Sequence, residues 1–307
     1  MSDSPMSPQQ MYIYGGTGGA GGGGGGQGGN GGAGQGPRVY VTGDNNTIYS
    51  AGETEEQERM KVLEWISPLN FLVRHQEITA TREKTTGEWL LQQPDFVKWK
   101  SGSGNMLWCS GIPGMGKTVL VSKVIDHFQQ AQFKDSSIGI AGVYLNYKEM
   151  SVQTIENLLG AIWKQLVKSQ DIEAAKALYD AHRDQKTRAS IAEIQMLLSP
   201  LIEKFKTLYI IVDALDEYPA DKRDVLVDHL MQLGKNVNVL ITCRPNVSPP
   251  PGIKSLSTLE LQASEQDIRN YIITSLQGHK RLSGFMSKDA SLQKQILTKI
   301  IAKAHGM

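Results

Sequence analysis

The sequence predicts an α/β protein: a parallel sheet flanked by helices, preceded by a glycine-rich tail and followed by the start of a helical lid. Three observations carry this. Short apolar runs beginning at Met106 alternate with amphipathic stretches as far as Thr242, the pattern of parallel strands joined by helices. A glycine-bearing turn, "GIPGMGKT", stands where the first of these runs meets the first of these helices. Half of the 32 glycines fall between Gly15 and Gly36, so the rest of the chain has an ordinary globular composition.

Residues 1–53 form the tail. Glycine loses the most backbone entropy on ordering and has no side chain to bury, so the tract is expected to be disordered. Within it, two β-prone runs in residues 39–50 flank Gly-Asp-Asn-Asn and predict a hairpin or a β-arch, which is marginal without a partner. Residues 54–100 read as a helical region. Thr54 and Gln57 have capping-box spacing, and Met60, Leu63 and Ile66 recur on one face until Ser67-Pro68 ends the helix.

Residues 101–250 are the expected sheet core. Strands are predicted over Met106–Ser110, Ile138–Asn146, Leu208–Val212 and Val237–Thr242. Helices are predicted over Val119–Phe128, Val152–Lys168, Ile191–Phe205 and Val225–Leu233. In residues 251–307, "SEQDIRNYIITSL" and "SLQKQILTKIIAKA" are two amphipathic helices with no strand between them, the start of a lid.

Composition removes several classes. A net charge of +1 gives no electrostatic case for nucleic acid or an acidic membrane surface. The N-terminus lacks a basic start followed by an apolar segment, and no apolar run approaches the roughly 20 residues of a membrane span. Cys109 and Cys243 sit in apolar runs and read as small buried thiols, which fits a reducing, cytoplasmic setting. The six histidines show no metal-ligand spacing, and the five tryptophans read as packing residues.

The chemistry lies in three places. Gly111, Gly116, Lys117 and Thr118 fit G-x-x-x-x-G-K-[ST], with Ile112, Pro113, Gly114, Met115 and Val119 completing the loop and opening the helix. Such a loop turns backbone N–H groups inward around phosphate oxygens at the positive end of the helix. Lys117 supplies a point charge to the outer phosphates, and the Thr118 hydroxyl is a magnesium ligand. In "LYIIVDALDEYP", Asp213 ends a buried strand at the edge where open α/β sheets bind ligands, and a magnesium ion would compensate its charge. Asp216 and Glu217 follow within one turn. One of them can orient or deprotonate a water, or both can be helix N-terminal acids. In "VNVLITCRP", Thr242 and Arg244 emerge at the same edge as candidate sensor residues, and Arg244 either senses a terminal phosphate or is a surface arginine.

Together these motifs resemble the NACHT family of P-loop NTPases, the STAND-class nucleotide-binding modules of NOD-like receptors. "DALDE", with a small residue after the first aspartate, is the most specific feature. "SPLNF", "TGEWLL" and "WCSGIPGMGKT" look most like the modules of fungal receptor-like proteins. The resemblance covers roughly Trp65 to Met307. It implies a sheet with the Arg244 strand between the P-loop strand and the Asp213 strand. It also implies a switch binding magnesium with ATP or GTP, hydrolysing slowly and forming homo-oligomers on triphosphate. Family members usually continue into winged-helix and repeat regions, so the sequence reads as truncated before them. Some fungal relatives carry amyloid-type motifs near the N-terminus, which suggests homotypic contacts through residues 39–52; an accidental β-like patch is the alternative. A kinase or motor ATPase is a further reading, though residues 148–190 show no acceptor signature. A scaffold without turnover is the third.

Overall fold

The computed structural model describes residues 39–40, 49–50, 54–83, 85–167, 171–278 and 290–304. The glycine tract and most of the 39–52 segment lie outside the described residues. The chain divides into two compact units, Met1–Lys61 and Val62–Met307.

In the first unit, β1 (Val39–Tyr40) pairs antiparallel with β2 (Tyr49–Ser50), with Tyr40 opposite Tyr49. Helix α1 (Glu55–Ile66) begins here. Its capping box is formed: Thr54 N–H donates to Gln57 Oε1 at 3.1 Å and Gln57 N–H donates to Thr54 Oγ1 at 3.3 Å. The apolar face differs from the one expected. Met60 is 55% exposed, and the buried residues are Val62 and Ile66, one turn apart.

The second unit is built on a five-stranded sheet with order β4-β5-β6-β3-β7, every neighbouring pair parallel. The strands are β3 (Met106–Ser110), β4 (Ile138–Tyr144), β5 (Thr207–Asp213), β6 (Val237–Cys243) and β7 (Leu256–Glu260). Leu240 of β6 lies opposite both Leu107 and Ile211, so the last long apolar run enters between the first and third. β7 was not expected: it lies in the stretch read as the approach to the lid, and the sheet therefore extends to Glu260. As an edge strand paired on one side, "LSTLE" is only half-buried, so it lacks the continuous apolar run that marks β3, β5 and β6.

The helices are α2 (Phe71–Thr81), α3 (Glu88–Leu91), α4 (Pro94–Ser101), α5 (Lys117–Lys134), α6 (Ile155–Leu166), α7 (Glu173–Arg183), α8 (Ile191–Ile202), α9 (Ala220–Met231), α10 (Glu265–Gly278) and α11 (Ala290–Ala304). α5 packs on β4, β5 and β6, while α4 packs on β3 and β7. Their aromatic contact anchors the helices to the sheet: the Phe128 ring stacks on Tyr209 with centroids 3.8 Å apart, and Trp99 meets Tyr209 edge-on at 5.5 Å. Burying a ring of this size contributes about 1.5–3 kcal/mol. At the β4 edge, the Gln165 side chain of α6 both accepts from Gly142 N–H and donates to Gly142 C=O, each at 2.9 Å. It satisfies edge groups that would otherwise be open to another strand. No helix among the described residues is long and apolar enough to cross a membrane.

Candidate functional site

Parallel pairing brings the carboxyl ends of β3, β4, β5 and β6 to one edge of the sheet, and the sequence motifs converge there. The loop after β3 is stitched to β6 at its first residue, because Gly111 N–H donates to Cys243 C=O at 3.1 Å. Gly114 and Gly116 have φ of +83° and +94°, in the left-handed region where a side chain is strained. That backbone path turns the loop into the start of α5 at Lys117. The Lys117 ammonium lies within the loop, donating to the Gly111 carbonyl at 2.7 Å and the Ile112 carbonyl at 3.1 Å.

Asp213, 2% exposed, ends β5 beside the loop. Thr242 Oγ1 donates to its Oδ1 at 2.6 Å and accepts from Ala214 N–H at 3.0 Å. Thr242 is therefore a fully engaged, buried support for Asp213. Burial pushes the Asp213 carboxyl above its usual range; hydrogen bonds from Thr118 and Thr242 and the Lys117 charge oppose this, and the Glu217 charge adds to it. Thr118 and Asp213 line one cavity of about 470 Å³ together with Tyr144 and Glu217. The Thr118 hydroxyl and the Asp213 carboxyl group are two oxygen donors there that a divalent cation can use, and among the described residues no cluster of three His, Cys, Asp or Glu forms a metal cage.

The acidic pair is split. Glu217 faces that cavity and its Oε2 accepts from Tyr147 N–H at 3.3 Å. Asp216 does not line it; its Oδ2 meets Arg244 Nε at 2.7 Å, and its Oδ1 accepts from Arg244 N–H at 3.1 Å. One turn of 3-10 helix, Leu215–Glu217, aims the two acids differently. The turn is entered through Ala214 in the left-handed conformation, φ +59° and ψ +49°. This accounts for the small residue after Asp213. Ala214→Val is expected to destabilise the fold by about 1–3 kcal/mol, since a β-branched side chain is strained there, and the denaturation midpoint measures it.

Tyr144 is tied into a buried polar chain. Its hydroxyl meets His75 Nδ1 at 2.8 Å, and His75 Nε2 meets Asp126 Oδ1 of α5 at 2.9 Å. Asp126 also pairs with Arg82, whose Nη1 donates to Ser122 Oγ at 2.7 Å. A carboxylate only accepts, so it is the Nε2–H of His75 that donates to Asp126. Burial raises the Tyr144 hydroxyl pKa, which keeps it protonated.

A second cavity of about 660 Å³ adjoins the other side of the loop, with Met115, Val119 and Leu120 on one wall, Trp89 on another and Tyr271 and Ile272 of α10 on a third. Asp267 closes it at one corner, accepting from Gly87 N–H and Trp89 Nε1, each at 3.0 Å. Trp89 packs against the core as expected, and its place in the wall of this cavity with Asp267 and Tyr271 was not part of the sequence reading. A single tryptophan after a Thr-Gly turn has the same signature as a packing residue, and an acid in a first helical turn has the signature of a dipole partner.

The family model described as Nephrocystin 3, N-terminal, matches residues 85–244, just over half of the chain, and so includes the phosphate-type loop, the 213–217 turn and Arg244. Among solved structures, Drosophila ORC bound to DNA is similar at 16% identity and TM-score 0.38, over 78% of this chain and 56% of that one. The Aeropyrum pernix ORC2 protein, in ADPNP–ADP complexes, is similar at 16% identity and TM-score 0.37, over 62% and 51%. A Walker-type ATPase of Pyrococcus abyssi is similar at 11% identity and TM-score 0.39, over 64% and 60%. The chain thus spans about half to three fifths of the length of these structures. No curated protein matches the sequence.

Proposed function

We propose, from the premise that this chain belongs to the Nephrocystin 3, N-terminal, family, that it is a nucleoside triphosphate-binding switch of the NACHT type with slow hydrolysis. The observation that carries this is that Thr118 and the buried Asp213 line one cavity at the carboxyl edge of a parallel sheet, next to the loop that holds the Lys117 ammonium.

The role of each residue follows from its placement. The backbone N–H groups around Gly114 and Gly116 and the N-terminus of α5 hold phosphate oxygens. Lys117 lends its ammonium to the outer phosphates. The apolar cavity beside Met115, Val119 and Trp89 takes the purine of ATP or GTP. Thr118 and Asp213 hold magnesium. The donor set fits, because a buried carboxyl group supported by the Thr118 and Thr242 hydroxyls ends its strand at the phosphate loop, and magnesium takes one or two protein oxygens with phosphate and water for the rest. Bound there, magnesium supplies positive charge to the outer phosphate oxygens. Glu217 orients a water and accepts its proton at a carboxylate oxygen. The two buried free cysteines support a reducing, cytoplasmic setting.

A switch is favoured over a fast enzyme because the element that reads the terminal phosphate, Arg244, is held by a carboxylate of the same chain. The test compares mass and turnover of the full chain with magnesium diphosphate and magnesium triphosphate. Growth from monomer to homo-oligomer with triphosphate and slow turnover are expected; fast turnover at constant mass would point to an enzyme instead. A second reading, homotypic assembly through residues 39–52, has the β1–β2 pairing in its favour. It requires assembly to vanish on deletion of residues 1–52 whichever nucleotide is present.

A further inference from the structure

We propose that Asp216 is a positioning residue, a latch that holds the Arg244 guanidinium until a triphosphate draws it off. This rests on the phosphate-binding reading of the loop given above. Both oxygens of Asp216 are committed to one residue: Oδ2 to the side chain of Arg244 at 2.7 Å and Oδ1 to its main-chain N–H at 3.1 Å. The carboxylate is the fixed partner, since the Asp216 side chain is 7% exposed and that of Arg244 is 51% exposed. It is also braced from behind. Arg223 donates through Nη2 to the Asp216 carbonyl at 2.5 Å and through Nε to the Tyr218 carbonyl at 2.8 Å.

The root of Arg244 is at the phosphate loop. Cys243, immediately before it, accepts from Gly111 N–H, the first amide of that loop. A guanidinium rooted there has two anions to choose between when nucleotide binds, the Asp216 carboxylate on the turn after β5 and a terminal phosphate on the loop. Exchange between them does not strip Asp216, because the main-chain N–H of Arg244 stays on Oδ1 when the side chain leaves. That lowers the penalty of an uncompensated buried carboxylate. A diphosphate lacks the terminal group and leaves the pair closed. Asp216 thereby acts through Arg244 and is separate from Glu217, which faces the Thr118–Asp213 cavity.

The test measures affinities of the full-length chain for magnesium ADP and a magnesium-bound non-hydrolysable ATP analogue, or for the guanosine pair if those bind more tightly. Asp216→Asn keeps the shape and removes the charge, and is expected to raise the preference for triphosphate over diphosphate by about three- to tenfold. Asp216→Glu, which restores the charge, is expected to return the ratio towards the wild-type value. Arg244→Ala should lower the preference, and adding Asp216→Asn to it should change the ratio no further. A ratio unmoved by Asp216→Asn, or moved equally in the Arg244→Ala background, overturns the latch. Should Asp216→Asn fail to fold, Asp216→Ser, which also removes the charge, serves in its place: the same rise in the triphosphate preference supports the latch, and an unmoved ratio overturns it. Absence of nucleotide binding by the wild-type chain overturns the phosphate reading together with the latch, whereas normal binding with an unmoved ratio overturns the latch alone.

Discussion

Replacing Lys117 with alanine is expected to weaken magnesium-nucleotide binding by on the order of 10²–10³-fold, the effect of losing a close charge partner of a bound anion. The protein should remain folded. Alanine suits the first turn of α5, and the two groups that lose a donor, the carbonyls of Gly111 and Ile112, belong to a loop at the sheet edge and not to the core. Titration calorimetry reads the affinity, and far-UV circular dichroism reads the fold. Unchanged affinity in a folded variant would remove the phosphate assignment and everything built on it.

Replacing Glu217 with glutamine is expected to slow hydrolysis by about 10²–10⁴-fold, the usual span for one general acid–base group, while binding persists. Persistence has a specific reason. Burial is the main cause that raises the Asp213 carboxyl pKa and the Glu217 charge adds to it, so neutralising Glu217 shifts Asp213 towards the ionised form that a cation needs. Single-turnover hydrolysis with a parallel binding titration separates the two effects. A variant that turns over at the wild-type rate would show that Glu217 only supports Tyr147, whose N–H it accepts. Of the two acids, only this one shares a cavity with Thr118 and Asp213, so the large effect is expected here and not at Asp216.

Much of this arrangement is legible in local chemistry. The loop from Gly111 to Thr118 is recognisable because its requirements lie within eight consecutive residues: amides that turn inward, glycines that permit the turn, a lysine and a hydroxyl. β3, β5 and β6 are legible because a strand covered on both faces must be apolar at nearly every position. β7 was not legible because an edge strand relaxes that requirement. Met60 recurs on one face with Leu63 and Ile66, yet it is 55% exposed, while Val62 and Ile66 are buried and Leu63 packs against the core.

The site divides along the same line. That Asp213, Asp216, Glu217, Thr242 and Arg244 lie near one another follows from their position at or just beyond strand ends, and a parallel sheet collects such ends at one edge. Which of them touch does not follow. Asp216 and Arg244 are 28 residues apart, and their pairing depends on β6 lying between β5 and β3 and on the left-handed turn at Ala214. Trp89 and Asp267 are 178 residues apart and meet only because α10 returns to α3. Residue type and short-range spacing carry the chemistry of a phosphate grip, since those interactions are local. The division of labour between Asp216 and Glu217, and the walls of the neighbouring cavity, belong to the tertiary structure, because contacts between distant segments are set by strand order and packing, which no short window of sequence encodes.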